Sequence, residues 1–205
     1  MLISFEKILK EYKLNISGIF HIGGHFAEEA WSYQAAGVEN VIFFEPVAES
    51  FKVCKKNAES CGYQAFNLAL GKEDKMVEMF TETANNGQSS SILRPKLHLS
   101  QYPHILFNGK QSVKMTSLDS FVNNIDLFKF NMIVMDVQGY ELEVLKGAEE
   151  TLKQIDCVFS EVNNAELYEE CANVKELDSF LLLYGFTRRQ TNWAGGTWGD
   201  AVYVK

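Results

Sequence analysis

No apolar run approaches the ~20 residues that a membrane-spanning helix needs. The amino-terminal stretch MLISFEKILKEYKL is too charged for a secretory leader. Cysteine is scarce: Cys54, Cys61, Cys157 and Cys171 stand apart, with no C-x-x-C pair. That disfavours a zinc or redox centre and fits free thiols in a reducing compartment. Positive charge is short as well, with 19 Lys and Arg against 27 Asp and Glu, a net charge of -8. Duplex nucleic acid is therefore a poor candidate for the main partner. There is no internal repeat and no low-complexity tract. What remains is ordinary globular composition, 46% hydrophobic over 205 residues. One soluble domain, 1–205, is expected in the cytoplasm, standing alone or cut from a longer chain.

What is present alternates. A first helix is expected at about 4–13, capped by Ser4. Strands are expected at 18–22, 40–46, 63–68, 130–136 and 157–161. Helices are expected at 27–36, 48–61, 141–154 and 176–184. Gly37, Gly62 and Gly185 close three of them. A short strand at 75–81 and a short helix at 117–122 lie between. Residues 85–112 are polar and include Ser89-Ser90-Ser91; they read as a long loop, a possible lid or acceptor loop. The chain ends FTRRQTNWAGGTWGDAVYVK, two strands around a Gly/Trp loop.

This alternation predicts an α/β fold, a doubly wound, mostly parallel, Rossmann-like sheet of about seven strands. No helix separates the last two strands, so they form an antiparallel hairpin at one edge. Class I S-adenosylmethionine (SAM) methyltransferases end that way; nicotinamide-binding sheets normally do not.

Such sheets bind ligands beyond the carboxyl ends of their strands. The first turn there is His21-Ile22-Gly23-Gly24-His25. The glycine pair offers room for a nucleotide, or simply a tight turn. Glu45, 22 residues after Gly23, can accept hydrogen bonds from ribose hydroxyls, or be a surface acid. A dinucleotide would set its diphosphate on a helix start occupied by Glu28-Glu29. The third glycine of that fingerprint is missing, and there is no Tyr-x-x-x-Lys pair. SAM, which has no phosphate, is favoured over NAD. Asp136 ends the fourth strand and Glu161 the next, with Asn163 close by. These oxygens are candidate ligands for Mg²⁺ or Mn²⁺, or hydrogen-bonding groups in a metal-free site.

The segments HIGGHFAEE, VIFFEP, NLALG, SLDSF, MDVQGYELEVLKGAEETL, SEVN and GTWGDAVYVK occur in order from Gly18 to Lys205. In these the chain resembles the FkbM-type SAM-dependent methyltransferases. The resemblance implies an O-methyltransferase acting on hydroxyls of sugars, glycans or small natural products. It implies that SAM lies against Gly23, Gly24, Glu45 and Asp136, with Asn67, Leu68 and Ala69 near the adenine. It also brings Ser90 and its serine neighbours close to cofactor or acceptor. His21, His25 and Pro46 complete the candidate shell. The chain departs from the common methyltransferase pattern at His21, where many carry an acid, and Ala27, where many carry glycine.

Methyl transfer to oxygen requires alignment and removal of a proton. His25 is the first candidate base, with Asp136 behind it. A metal at Asp136 and Glu161 is the other route. His98 and His104 are exposed loop residues by default, though either could face the acceptor. Trp193 and Trp198 form a candidate acceptor platform, one of them packing into the hairpin. Tyr102, Pro103 and Phe107 are a candidate facing wall. The rival readings are an NAD-linked oxidoreductase and a non-catalytic SAM-fold binding module. A glycosyltransferase is disfavoured by the lack of an Asp-x-Asp triplet.

Overall fold

The computed structural model describes residues 2–205. The chain runs α1 (Phe5–Tyr12), β1 (Gly18–Ile22), α2 (Ala30–Ala35), β2 (Asn40–Phe44), α3 (Ala48–Ser60), β3 (Gln64–Phe66), β4 (Ala69–Leu70), β5 (Lys75–Thr81) and α4 (Leu97–Gln101). It continues with β6 (Gly109–Thr116), α5 (Leu118–Phe121), β7 (Met132–Met135), α6 (Glu141–Lys146), α7 (Glu149–Leu152), β8 (Cys157–Asn163), α8 (Val174–Leu182), β9 (Thr187–Ala194) and β10 (Trp198–Val204). Seven strands form one sheet in the order β3-β2-β1-β7-β8-β10-β9. β1 pairs in parallel with β2 and β7, and β7 in parallel with β8. β10 runs antiparallel to both β8 and β9. The winding reverses at β1, which puts the crevice for a ligand beside it.

β1, β7 and β8 are buried on both faces, and β7 is apolar throughout, as such burial favours. Their alternation divides the core. Ile19, Met132, Val134 and Phe159 pack with Phe5, Ile8, Ala30, Tyr33 and Ala58 from α1, α2 and α3. Phe20, Ile22, Ile133 and Val158 pack on the other face with Val144, Leu145, Leu177 and Leu181 from α6 and α8. Parity then sends His21, Asp136, Glu161 and Asp200 to the α1–α3 face at the carboxyl rim.

The local structure differs from expectation in four places. α2 starts only at Ala30, because residues 25–29 form turns with His25 and Ala27 at φ 42° and 55°. The helix expected over 141–154 breaks at Gly147, where an added Cβ would lie 2.0 Å from the Gly71 carbonyl oxygen. The strand expected over 63–68 shortens to β3 in the large sheet, and the residues just after it form β4 in a second. That second sheet has the order β4-β6-β5, and β6 takes its first residues from the expected loop. The rest of 85–112 holds α4 and is pinned in place: Lys96 and His98 N–H groups donate to the Leu167 carbonyl. α8 starts at Val174, capped by Asn173 and Glu176 in a reciprocal box.

Candidate active site

A cavity of about 650 Å³ opens at the carboxyl ends of β1, β2, β7 and β8. Its floor is the first turn. The Gly23 and Gly24 N–H groups both donate to the Phe44 carbonyl at 2.9 Å. Gly23 has φ +80°, and an added Cβ would lie 1.9 Å from the Asp136 carbonyl oxygen. An added Cβ at Gly24 would meet Phe43 and Cys54 in the core at 3.1 and 3.2 Å. The glycines thus make room for the protein's own backbone and core. Both glycines also line the cavity floor.

The two histidines of the turn do different things. His21 is buried, with Nδ1 3.0 Å from the Tyr33 hydroxyl and its ring against Phe43. Burial lowers its pKa, so the imidazole is neutral. His25 stacks on Phe26 and has both nitrogens engaged. Nδ1 lies 2.7 Å from Glu28 Oε1 and Nε2 2.9 Å from the Asn86 carbonyl. Partial burial works against its charge, but these two acceptors outweigh it and raise the pKa. A ring that donates from both nitrogens is an imidazolium. His25 therefore ties the turn to the 82–91 segment and offers no free lone pair.

Glu45 follows β2 and is buried. Oε2 accepts from the His25 N–H at 2.8 Å and Oε1 from the Val47 N–H at 2.7 Å. Burial pushes its pKa up to about 7 against these bonds. Each oxygen keeps a lone pair for another donor. Pro46, Val47, Leu68, Ala69 and Leu70 continue the wall beside it. Asn67 does not line the cavity: its Nδ2 donates to the Glu45 and Pro46 carbonyls and shapes the loop instead. Ser90 does line it, and its Oγ accepts weakly from the Glu82 N–H at 3.4 Å.

Across from Glu45, Asp136 and Glu161 share one donor, the Gln138 amide. Burial raises Asp136, and burial together with Asp136, Glu141 and Asp200 holds Glu161 far above the ordinary value. Gln138 Nε2 donates to Asp136 Oδ1 at 2.7 Å and to Glu161 Oε2 at 3.2 Å. The Tyr168 hydroxyl, 2.8 Å from Gln138 Oε1, orients that amide. Gln138 reaches back because residues 138 and 139 take φ of 54° and 96°. Glu141 Oε1 accepts the Val137 and Gly139 N–H groups and holds this turn together. Asp200 sits opposite Glu161 in the β8–β10 register and accepts a hydrogen bond from the Leu2 N–H. Burial raises it to about 6.

Asn163 lies in the core, away from the cavity lining, with neither amide atom hydrogen-bonded. An N–H donor occupies the space between Asp136 and Glu161 that a shared cation would need. Among the described residues, no three His, Cys, Asp or Glu side chains are grouped to hold a metal. The residues expected to hold Mg²⁺ or Mn²⁺ thus do not fit it.

The opposite wall comes from α4 and the hairpin. Trp198 Nε1 donates to the Tyr102 hydroxyl at 2.8 Å, and both line the cavity. Trp193 does not; it is 40% exposed on β9. Phe107 packs edge-on to His98 behind this wall. His98 was expected to be exposed but is only 4% exposed, and it lines the cavity. Its ring sits among Tyr102, Phe107 and Tyr168, and Nδ1 has no partner. Burial lowers its pKa, so it too is neutral. His104 lines the cavity at its exposed rim. Sequence reasoning did not single out Gln138, Asp200 or Leu2 for the site. Only the Gln-Gly pair, at a turn after a strand, signalled one of them.

The strand order, the antiparallel last strand and a cavity across the carboxyl rim define a class I SAM-dependent methyltransferase fold. M. capricolum TrmK, solved with S-adenosyl-homocysteine, matches with TM-score 0.54 at 10% identity, covering 100% of this chain and 69% of that one. A TehB-like SAM-dependent methyltransferase from Corynebacterium glutamicum matches with TM-score 0.50 at 10% identity, covering 98% and 86%. At such identities the likeness is one of fold. The chain belongs to the FkbM methyltransferase family: residues 21–188 match the model of the Methyltransferase FkbM domain. The 2-O-methyltransferase NoeI of Sinorhizobium fredii is 30% identical over 132 residues, 62% of this chain and 54% of that protein. The hexuronic acid methyltransferase AglP of Haloferax volcanii is 27% identical over 124 residues, 60% and 47% respectively. The chain spans about half the length of these curated relatives.

Proposed function

We propose that the chain is an O-methyltransferase that moves a methyl group from SAM to a hydroxyl of a sugar or glycan. The observation that carries this reading is the pairing, across one cavity, of Glu45 with Asp136 and Glu161, which the Gln138 amide bridges. Bound there, SAM supplies an electrophilic sulfonium methyl. Glu45 has one free lone pair per oxygen, the pattern that two ribose hydroxyls would satisfy. The apolar strip from Pro46 to Leu70 suits an adenine. Glu28 and Glu29, in the cavity wall, suit the ammonium of the amino-acid end.

Asp136 and Glu161 are the residues that take the hydroxyl proton. Burial raises Asp136, which makes its carboxylate a stronger base for the proton released as the new bond forms. Gln138 keeps both carboxylates oriented. His25, first expected as the base, is a positioning residue, since it is already protonated and held at both nitrogens. Trp198 and Tyr102 offer the flat faces that sugar C–H groups stack on. The NAD reading is disfavoured because a diphosphate at this turn would face Glu28 and Glu29, both in the cavity wall.

Calorimetry with SAM and with NAD separates the two readings; SAM is expected to bind and NAD to give no response. Asp136→Asn is expected to keep SAM binding and to lower turnover by about 10²–10⁴-fold. An unchanged rate would remove Asp136 from the chemistry. Activity is expected to survive chelation by EDTA. Loss that Mg²⁺ restores would return the metal to the site.

A further inference from the structure

Acidic side chains outnumber basic ones on the cavity wall. Among the described residues that line it, Glu28, Glu29, Glu45, Asp136, Glu161 and Asp200 are carboxylates, and none is lysine or arginine. The imidazoles on this wall do not compensate. His21 and His98 are buried and neutral, and His25 spends its charge on Glu28 and Asn86. His104 stands at the exposed rim. Arg94 and Lys96, the basic residues nearest α4 in sequence, pair with Glu169 and Glu166.

We infer that the acceptor carries no negative charge: it is a neutral or amine-bearing sugar, not a uronate or a phosphorylated sugar. This inference rests on the methyl-transfer reading and narrows it. Sites that recognise carboxylate or phosphate supply a guanidinium, an ammonium or a charge-assisted donor. This wall supplies acids instead. An anionic acceptor would add repulsion in a partly desolvated space, where charges are poorly screened. SAM brings one net positive charge, and the same carboxylates face it. A neutral hydroxyl incurs none of this cost, and an ammonium gains from it. The charge of the wall thus acts by rejecting the wrong acceptor.

The protein loaded with S-adenosylhomocysteine is titrated by calorimetry with glycosides and oligosaccharides of glucose, glucosamine and glucuronic acid. The same panel is then assayed for turnover with SAM. Glucoside or glucosaminide is expected to bind and to be methylated, with glucuronide at least ~10-fold weaker in affinity and in kcat/KM. Gln88 is an exposed residue at the cavity mouth. Gln88→Arg is expected to narrow that difference by improving the glucuronide alone. Glucuronide binding or reacting as well as the neutral sugar overturns the inference and leaves methyl transfer intact. SAM binding with no sugar bound or methylated overturns the sugar reading, and this inference with it. Failure to bind SAM overturns the cofactor assignment.

Discussion

His98 Nδ1 is buried without a protein partner, and such an atom costs a fold about 1–3 kcal/mol. His98→Phe replaces it with an apolar ring of similar shape, which is expected to leave the melting temperature unchanged or raise it. The same variant is expected to raise the acceptor KM, because the ring lines the cavity beside Tyr102. A large loss of stability with normal kinetics would make His98 a core residue only. Glu45 gives a second test. Its folded pKa is about 7, and accepting ribose hydroxyls needs the ionised form. SAM affinity is therefore expected to rise as pH climbs from about 6 to 8, and Glu45→Gln is expected to flatten that slope. Calorimetry at several pH values reads both. Glu45, Asp136 and Glu161 were legible in the sequence because each ends an apolar strand. His98 was not, since bonds to residues distant in sequence, Leu167 and Trp198 among them, draw α4 over the cavity.

Elements show where pattern and packing part. The central strands were legible because burial on both faces demands unbroken apolar runs, as in MIVM of β7. β6, GKQSVKMT, was partly missed because its amino-terminal half alternates polar residues and its partners lie at 69–81. The start of α2 was misplaced because Ala27 adopts a left-handed conformation that its type rarely takes. The first turn is the element most open to test. Gly23→Ala must fit a methyl against the Asp136 carbonyl at positive φ, and it is expected to cost at least about 3 kcal/mol. Gly24→Ala meets only side chains, which can shift, and is expected to cost less. Urea unfolding of both variants measures the difference; equal losses would mean that the turn is not pressed against β7.

For the whole molecule, the rim acids link stability to pH. Glu45 and Glu141 titrate near 7 and Asp200 near 6 in the folded chain, against ordinary values of 4.5 and 3.8. The folded chain thus keeps protons that the unfolded chain has released, so stability falls as pH rises through that interval. His25, raised when folded, acts in the same direction. The lowered His21 and His98 oppose it only below the ordinary imidazole value of 6.5. The ligand-free protein is therefore expected to melt at lower temperature at about pH 8 than at about pH 6.5, with SAM narrowing the gap. Thermal scans with and without SAM check this. Asp200 joins the rim only through the β8–β10 register, which is why the full set of acids was hidden from a reading along the chain.

The most direct test of the function is to supply SAM with an isotope-labelled methyl and a neutral oligosaccharide, then locate the label by NMR. The expected result is a labelled methyl ether on a sugar oxygen, absent with Asp136→Asn. Label on nitrogen or carbon, or none on any sugar while SAM is bound, would contradict it.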